Sequence, residues 1–365
     1  MKKIYSLAIV LMFSTSLLAT VRTVSNSPST LAQYNTIQAA IDASSNGDTV
    51  YVHGTPIDYG GFTILDKRLV VIGPGWSPDK SFPFTARVTG ISAIGGTTGD
   101  PLTNPANNTE IHGLVFTGGI NSYVSFGNDH PNGLKFFRNE FQGTMNIQES
   151  GTYKNYLFEG NYFNTGRVTA NGTSNYESFL FQNNIFYDAT TWQINDFTNS
   201  TNVLFNHNLF YGPANTPANV FVNTCRFLTI TNNIFVRRNA AISTSFCVFN
   251  NNITFNAGTN NPWAVNSNSD AGGNVVNLDP QIAAQTSVNS GTNNPLLDFT
   301  IAAGPANNTG SDGKDMGLLF DVSGTLNWTN SRNSRLPRVY TMNITNPTIP
   351  VGGTLNVQVE GRKSN

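Results

Sequence analysis

One short pattern returns along the middle of this chain and limits what it can fold into. It reads apolar, two variable residues, Asn, one variable residue, Phe, and it fills residues 136–141, 158–163, 181–186, 205–210 and 230–235. An earlier copy at 111–116 carries Leu114 in the Asn slot, and a later one starting at Phe249 lacks the closing Phe. The closing Phe residues, from Phe116 to Phe235, are spaced by 25, 22, 23, 24 and 25 residues. A near-fixed period of this length is the signature of a solenoid. Leucine-rich repeats share the period but need Leu-x-x-Leu-x-Leu, which is absent. Helical repeats need longer, Ala/Leu-rich units, whereas these copies are aromatic, β-branched and Gly-rich. Three short strands and their turns fill such a unit, so the expected fold is all-β, a single right-handed parallel β-helix of about ten coils. Each Phe should stack inside on the next. Each Asn should stack at a tight turn, where it tolerates the left-handed backbone and bonds from coil to coil. One conflict stands. Ile185, Leu209 and Ile234 precede inward Phe residues, so alternation turns them outward. Either the turn breaks the parity or something covers that face.

The ends read as caps. Residues 36–43 form a short amphipathic helix with Ile37, Ala40 and Ile41 on one face, suited to closing the open edge of the first coil. Residues 1–19, with two lysines ahead of an apolar run and small residues behind it, read as a signal peptide of bacterial type. The run is too short for a membrane span, and no later stretch is apolar enough for one. The solenoid is expected over residues 20–284. Irregular final coils and a linker follow over 285–335, and a C-terminal β segment over 336–365. Cys225 and Cys247 lie one repeat apart. Stacked on adjacent coils they would be about 4.8 Å apart, within reach of a disulfide, although two reduced, buried thiols are the favoured reading.

Residues 34–42 with 47–52, residues 69–75 and the Asn-Asn-Ile-Phe copies resemble the pectate-lyase-like β-helix superfamily over most of residues 30–280. The resemblance implies the fold and an exported protein acting on or displayed among polysaccharides, but it does not single out an activity. Lyases of that superfamily use an Arg or Lys base, often with Ca²⁺ held by stacked carboxylates. In this chain Glu110, Asp129, Glu140, Glu149, Glu159, Glu177, Asp188 and Asp196 are scattered and stack in no Ca²⁺ cage. Polygalacturonase and pectin-esterase signatures are absent as well.

Only 11% of the residues are charged and the net charge is -1, so the basic stripe of a nucleic-acid binder is missing. Asn occurs about fifty times, far above ordinary usage. Tight turns account for much of that, and an amide- and hydroxyl-rich surface also suits a neutral glycan. In repeat register Tyr187 and Tyr211 follow inward Phe residues and should stand outward, one above the other. Asp188 follows Tyr187, Arg237 shares its slot two coils on, and Arg238 is adjacent. These five residues are the candidate substrate-binding set, a tyrosine platform flanked by charge. Catalytic residues are not identifiable. Arg138 and His207 share the slot before the ladder Asn, with His207 read as a satisfied turn residue. His53, His112 and His130 are dispersed and form no metal pattern. Asp312, Asp315 and Gly317 read as turn formers, so no cofactor is assigned and Ca²⁺ lacks support. Two functions stay open. One is an exported monomer, outside the cell or in the periplasm, that binds or cleaves a polysaccharide or cell-surface glycan. The other is a non-catalytic adhesin or structural matrix protein.

Overall fold

The structure is a computed structural model. It describes residues 19–76, 84–97, 103–123, 130–188, 192–213, 218–258, 263, 265–320, 328, 337–344, 352, 354 and 357–363. The expected signal peptide therefore lies almost wholly outside the described residues, as does Asp129. No described helix is long and apolar enough to cross a membrane.

The chain winds into a parallel β-solenoid with three long sheets of eleven, eight and seven strands. In the first sheet Ile111, Phe136, Phe158, Phe181, Phe205, Ile230 and Phe249 are in register and point inward. In the second sheet Phe116, Phe141, Phe163, Phe186, Phe210 and Phe235 do the same. Neighbouring rings stack: centroids are 4.4 Å apart for Phe181–Phe205, in parallel planes, and 4.4 Å for Phe163–Phe186. Period-two alternation puts one ring per strand inside, and the register then makes a continuous aromatic column.

The turn between the first two sheets carries a ladder of seven asparagines: Asn139, Asn161, Asn184, Asn208, Asn233, Asn252 and Asn274. Each of the first six donates from its backbone N–H and its Nδ2 to the Oδ1 of the next, at 2.9–3.2 Å. Each Nδ2 also bonds a carbonyl one coil back, as Asn208 does to Phe181 O at 2.9 Å. Leu114 joins as a pure donor, its N–H bonding Asn139 Oδ1 at 3.0 Å. One expectation is corrected. The left-handed residue is the one before the ladder Asn: Arg138, Gly160, Asn183, His207, Asn232, Asn251 and Gly273 all have φ between 50° and 70°. The ladder Asn turns its amide into the solenoid, where it replaces strand hydrogen bonds lost at the corner.

The capping helix spans Ile37–Ala43, with Thr36 as N-cap accepting from Ala39 N–H. It buries Ile37, Ala40 and Ile41 as expected. Cys225 and Cys247 are free and buried, and they do not stack on each other. Cys225 pairs with Thr244, while Cys247 lies opposite Leu228, whose N–H reaches its Sγ at 3.4 Å. The coil between them has shortened to 19 residues, as Asn233 to Asn252 shows, so a 22-residue spacing overshoots the register. Burial pushes the Cys225 thiol up to about 12 and that of Cys247 to about 11, which leaves both protonated and inert.

After residue 278 the described chain adds no further parallel strand. Residues 279–320 instead fold back as a strap over the outer face of the second sheet. That face presents two columns, Tyr162–Ile185–Leu209–Ile234–Ile253 and Tyr187–Tyr211 continued by Val236 and Phe255. Ile282, Val288, Phe299, Ile301, Met316 and Leu318 pack on them to make a second hydrophobic core outside the coils. The conflict at Ile185, Leu209 and Ile234 is thus resolved by cover, with the strand parity intact. Near the C-terminus Pro337–Ile344 and Val357–Lys363 pair as an antiparallel hairpin.

Candidate functional site

Of the five expected binding residues, Tyr187 and Tyr211 lie on the second sheet, Asp188 and Arg237 just past its strand ends, and Arg238 on a separate short strand paired with Ala218–Asn219. Tyr187 and Tyr211 are register partners with ring centroids 5.2 Å apart, standing out of the coil as alternation requires. Their exposure is the point that needs correcting. Tyr187 is 5% exposed and Tyr211 fully buried, because the strap lies across them. The Tyr187 hydroxyl donates to Gly291 O at 3.0 Å and that of Tyr211 to Thr292 O at 3.2 Å. Burial pushes both phenols up. Rings closed off in this way cannot offer a face to a sugar. Asp188 and Arg238 are also buried, each 1% exposed, and Arg237 is half-buried with φ 56°. Burial depresses the Arg238 guanidinium, and Asp188 partly offsets this. Gly212 makes room for it, since a Cβ there would sit 1.9 Å from Arg238 Nη2 and 2.0 Å from Asp188 O. This charge pair lies within the coils beside Tyr187 and Gly212.

The left-handed column grips the strap's far end. Asn251 Nδ2 donates to Thr309 O at 2.8 Å, Asn232 Oδ1 accepts from Ser311 N–H at 2.7 Å, and Asn183 Oδ1 accepts from Leu319 N–H at 2.7 Å. His207 sits among them, with Nδ1 3.2 Å from Gly317 O and Nε2 3.2 Å from Asp312 Oδ2. Burial lowers its affinity for a proton despite Asp312. Asp312 and Asp315 close local turns by accepting from the Lys314 and Asn308 N–H groups.

At the strap's other edge an open cleft of about 200 Å³ remains, lined by Trp76, Glu140, Tyr162, Asn164 and residues 293–296. Trp76 and Tyr162 form its aromatic side, 5.9 Å apart, with Trp328 packed behind Trp76 at 5.2 Å. The polar side is a chain of bonds. Glu140 Oε1 accepts from Gln142 Nε2 and from Asn164 Nδ2, both at 2.8 Å, and Asn164 Oδ1 accepts from Asn293 Nδ2 at 2.9 Å. Asn293 Oδ1 takes the Tyr162 hydroxyl. Glu140 and Tyr162 are register partners, so their proximity could have been found by aligning the repeats. Asn293 reaches them only because the strap folds back, which no local pattern signals.

The repeat register also joins residues that looked dispersed. On the outer face of the first sheet, Lys135 pairs with Glu110, and Phe137 with His112. The Glu110 carboxylate bonds His112 Nε2 at 3.1 Å and Lys135 Nζ at 3.2 Å, while Phe137 stacks on His112 at 4.6 Å. Glu110 and His112 are nearly closed off, each side chain 6% exposed, while Lys135 is 37% exposed, so the cluster reads as a partly buried polar network. Among the described residues no three acidic, His or Cys side chains gather as a metal would require. No protein-family model matches the chain, and no curated protein matches it either.

Proposed function

We propose that this protein is an exported solenoid that binds extracellular polysaccharide, and that the cleft beside the strap holds a sugar unit. The observation carrying this reading is the linked polar side of the cleft. The Glu140 carboxylate and the Asn164 and Asn293 amides are offered to sugar hydroxyls, while Trp76 and Tyr162, only 4% and 1% exposed, line the cleft without an open ring face. The small volume favours one ring at a chain end or branch. Glycoside cleavage by the common route needs two carboxyl groups about 5–10 Å apart. The described lining supplies one, Glu140, so the reading is binding.

Titration calorimetry of the purified protein against neutral and uronate polysaccharides tests it. Glu140→Gln and Asn293→Ala should each weaken binding roughly tenfold, about the loss of one well-placed polar contact. Full affinity in both variants would remove the cleft from consideration. The same samples, followed for new reducing ends and for unsaturated products, would reveal cleavage and overturn the binding-only reading.

A further inference from the structure

A second left-handed corner runs up the solenoid just ahead of the first sheet. The strand register aligns Asn108, Gly133, Asn155, Ser178, Asn202, Phe227, Phe246 and Ser267 there. All eight have positive φ, between 55° and 72°. Six of them are Asn, Gly or Ser, the residues that tolerate this backbone. A bulky aromatic is among the least suited, because it meets the Cβ clash common to all L-residues without the local side-chain hydrogen bonds that offset it in Asn. Yet two successive coils use Phe. Burial does not compensate for it, since Phe227 is 51% and Phe246 52% exposed. The two rings stack at 5.7 Å with planes 18° apart, forming one continuous apolar surface that faces solvent. Exposed Asn202 and Ser267 stand one coil to either side. Strained backbone that yields no core packing is the mark of a position kept for contact with something outside the molecule.

We propose that Phe227 and Phe246 form a platform for an uncharged polysaccharide, stacking on the C–H face of a pyranose while Asn202 and Ser267 bond hydroxyls of that ring or its neighbours. The column runs along the solenoid axis, so a chain lying parallel to the axis meets amide, ring, ring and hydroxyl in turn. The platform rests on the glycan-binding reading but is distinct from the cleft, with which it shares no residue.

The test uses the full chain and the variant Phe227→Asn/Phe246→Asn, which places at both positions the residue other coils use. Affinity electrophoresis in gels containing xylan, mannan or β-glucan measures retardation. The wild type should be retarded by at least one of them and the double variant roughly tenfold less, with a melting temperature no lower than the wild type's. Asn202→Ala should give a smaller loss. Equal retardation of wild type and double variant overturns the platform while leaving glycan binding intact. A wild type retarded by none of the three, yet bound by uronate polymers through the cleft, overturns the platform's assignment to uncharged chains. Binding to no polysaccharide overturns both readings. A lower melting temperature in the double variant would show that the rings serve the fold, and a wild-type dimer in sedimentation that the variant makes monomeric would show that they serve self-association; either result overturns the proposal.

Discussion

Two pairs of neighbouring aromatics stand outside the coils, one edge-to-face and one stacked, and they meet opposite fates. Tyr187 and Tyr211, on the flat of the second sheet, are sealed beneath residues 291 and 292. Phe227 and Phe246, on a corner, are left half exposed. In each pair the orientation follows from strand register alone. Exposure does not, because it depends on whether a distant piece of chain arrives to cover the ring. The strap crosses the second sheet and the corner ahead of it, and the corner that carries Phe227 and Phe246 lies outside its path. The pair with the more polar rings became packing, and the purely apolar pair remained in solvent, the reverse of what side-chain polarity suggests.

The largest expected effect comes from breaking the covered pair. Tyr211→Ala should cost about 3–5 kcal/mol in denaturant unfolding, comparable to Phe186→Ala inside the coil, since each empties a packed aromatic site. A loss under about 1 kcal/mol for Tyr211→Ala would mean the strap does not seal that ring. Acidification should act next. Burial holds His130 down at about 4 and also lowers His207. The unfolded chain protonates such groups first, near pH 6.5, so stability is complete above that value and falls as pH drops towards the folded pKa. From pH 7 to 4, His130 alone should contribute a loss of about 3 kcal/mol. His207 faces Asp312, Lys314, Asn232 and Gly317, so its share should loosen the strap and make Tyr187 and Tyr211 accessible to a fluorescence quencher. A flat melting temperature between pH 7 and 4 would contradict this. Smallest is the exposed pair. Phe246→Asn relieves a left-handed aromatic but loses a stacking partner, and the net should lie between zero and a gain of about 1 kcal/mol. A loss above 1 kcal/mol would place Phe246 with the buried pair.

The solenoid, its capping helix, its Phe columns and its Asn ladder were legible because each repeats and because strand parity is strict. The outward turn of Tyr187 and Tyr211 was legible for the same reason, and so was the discomfort of outward Ile185, Leu209 and Ile234. Their cover was not. The strap is irregular and turn-rich, and its contributions, such as Ile282, Val288, Phe299 and Met316, follow no period. Phe227 and Phe246 could have been noticed, since each lies six residues ahead of a ladder Asn, Asn233 and Asn252, where the other copies place Gly, Asn or Ser. The Cys pair is reduced and buried as favoured, but its stacking on adjacent coils failed for a related reason: a spacing equal to the average repeat says little when the intervening coil has shortened to 19 residues.

The strap also sets an order of events. A stack of coils can form as the chain emerges, each coil settling on the one before it. Its outer seam of Tyr162, Ile185, Leu209 and Ile234 is complete before residues 282–318 have been made. Until then a nascent molecule carries a greasy stripe along one side, the kind of surface that draws chaperones or other nascent chains. Closure comes from a clasp whose bonds reach back 136 residues, from Leu319 to Asn183, and 110 from Gly317 to His207. Coils that could otherwise peel away singly are thereby tied together late, so the finished molecule should come apart as one unit although it was assembled piece by piece.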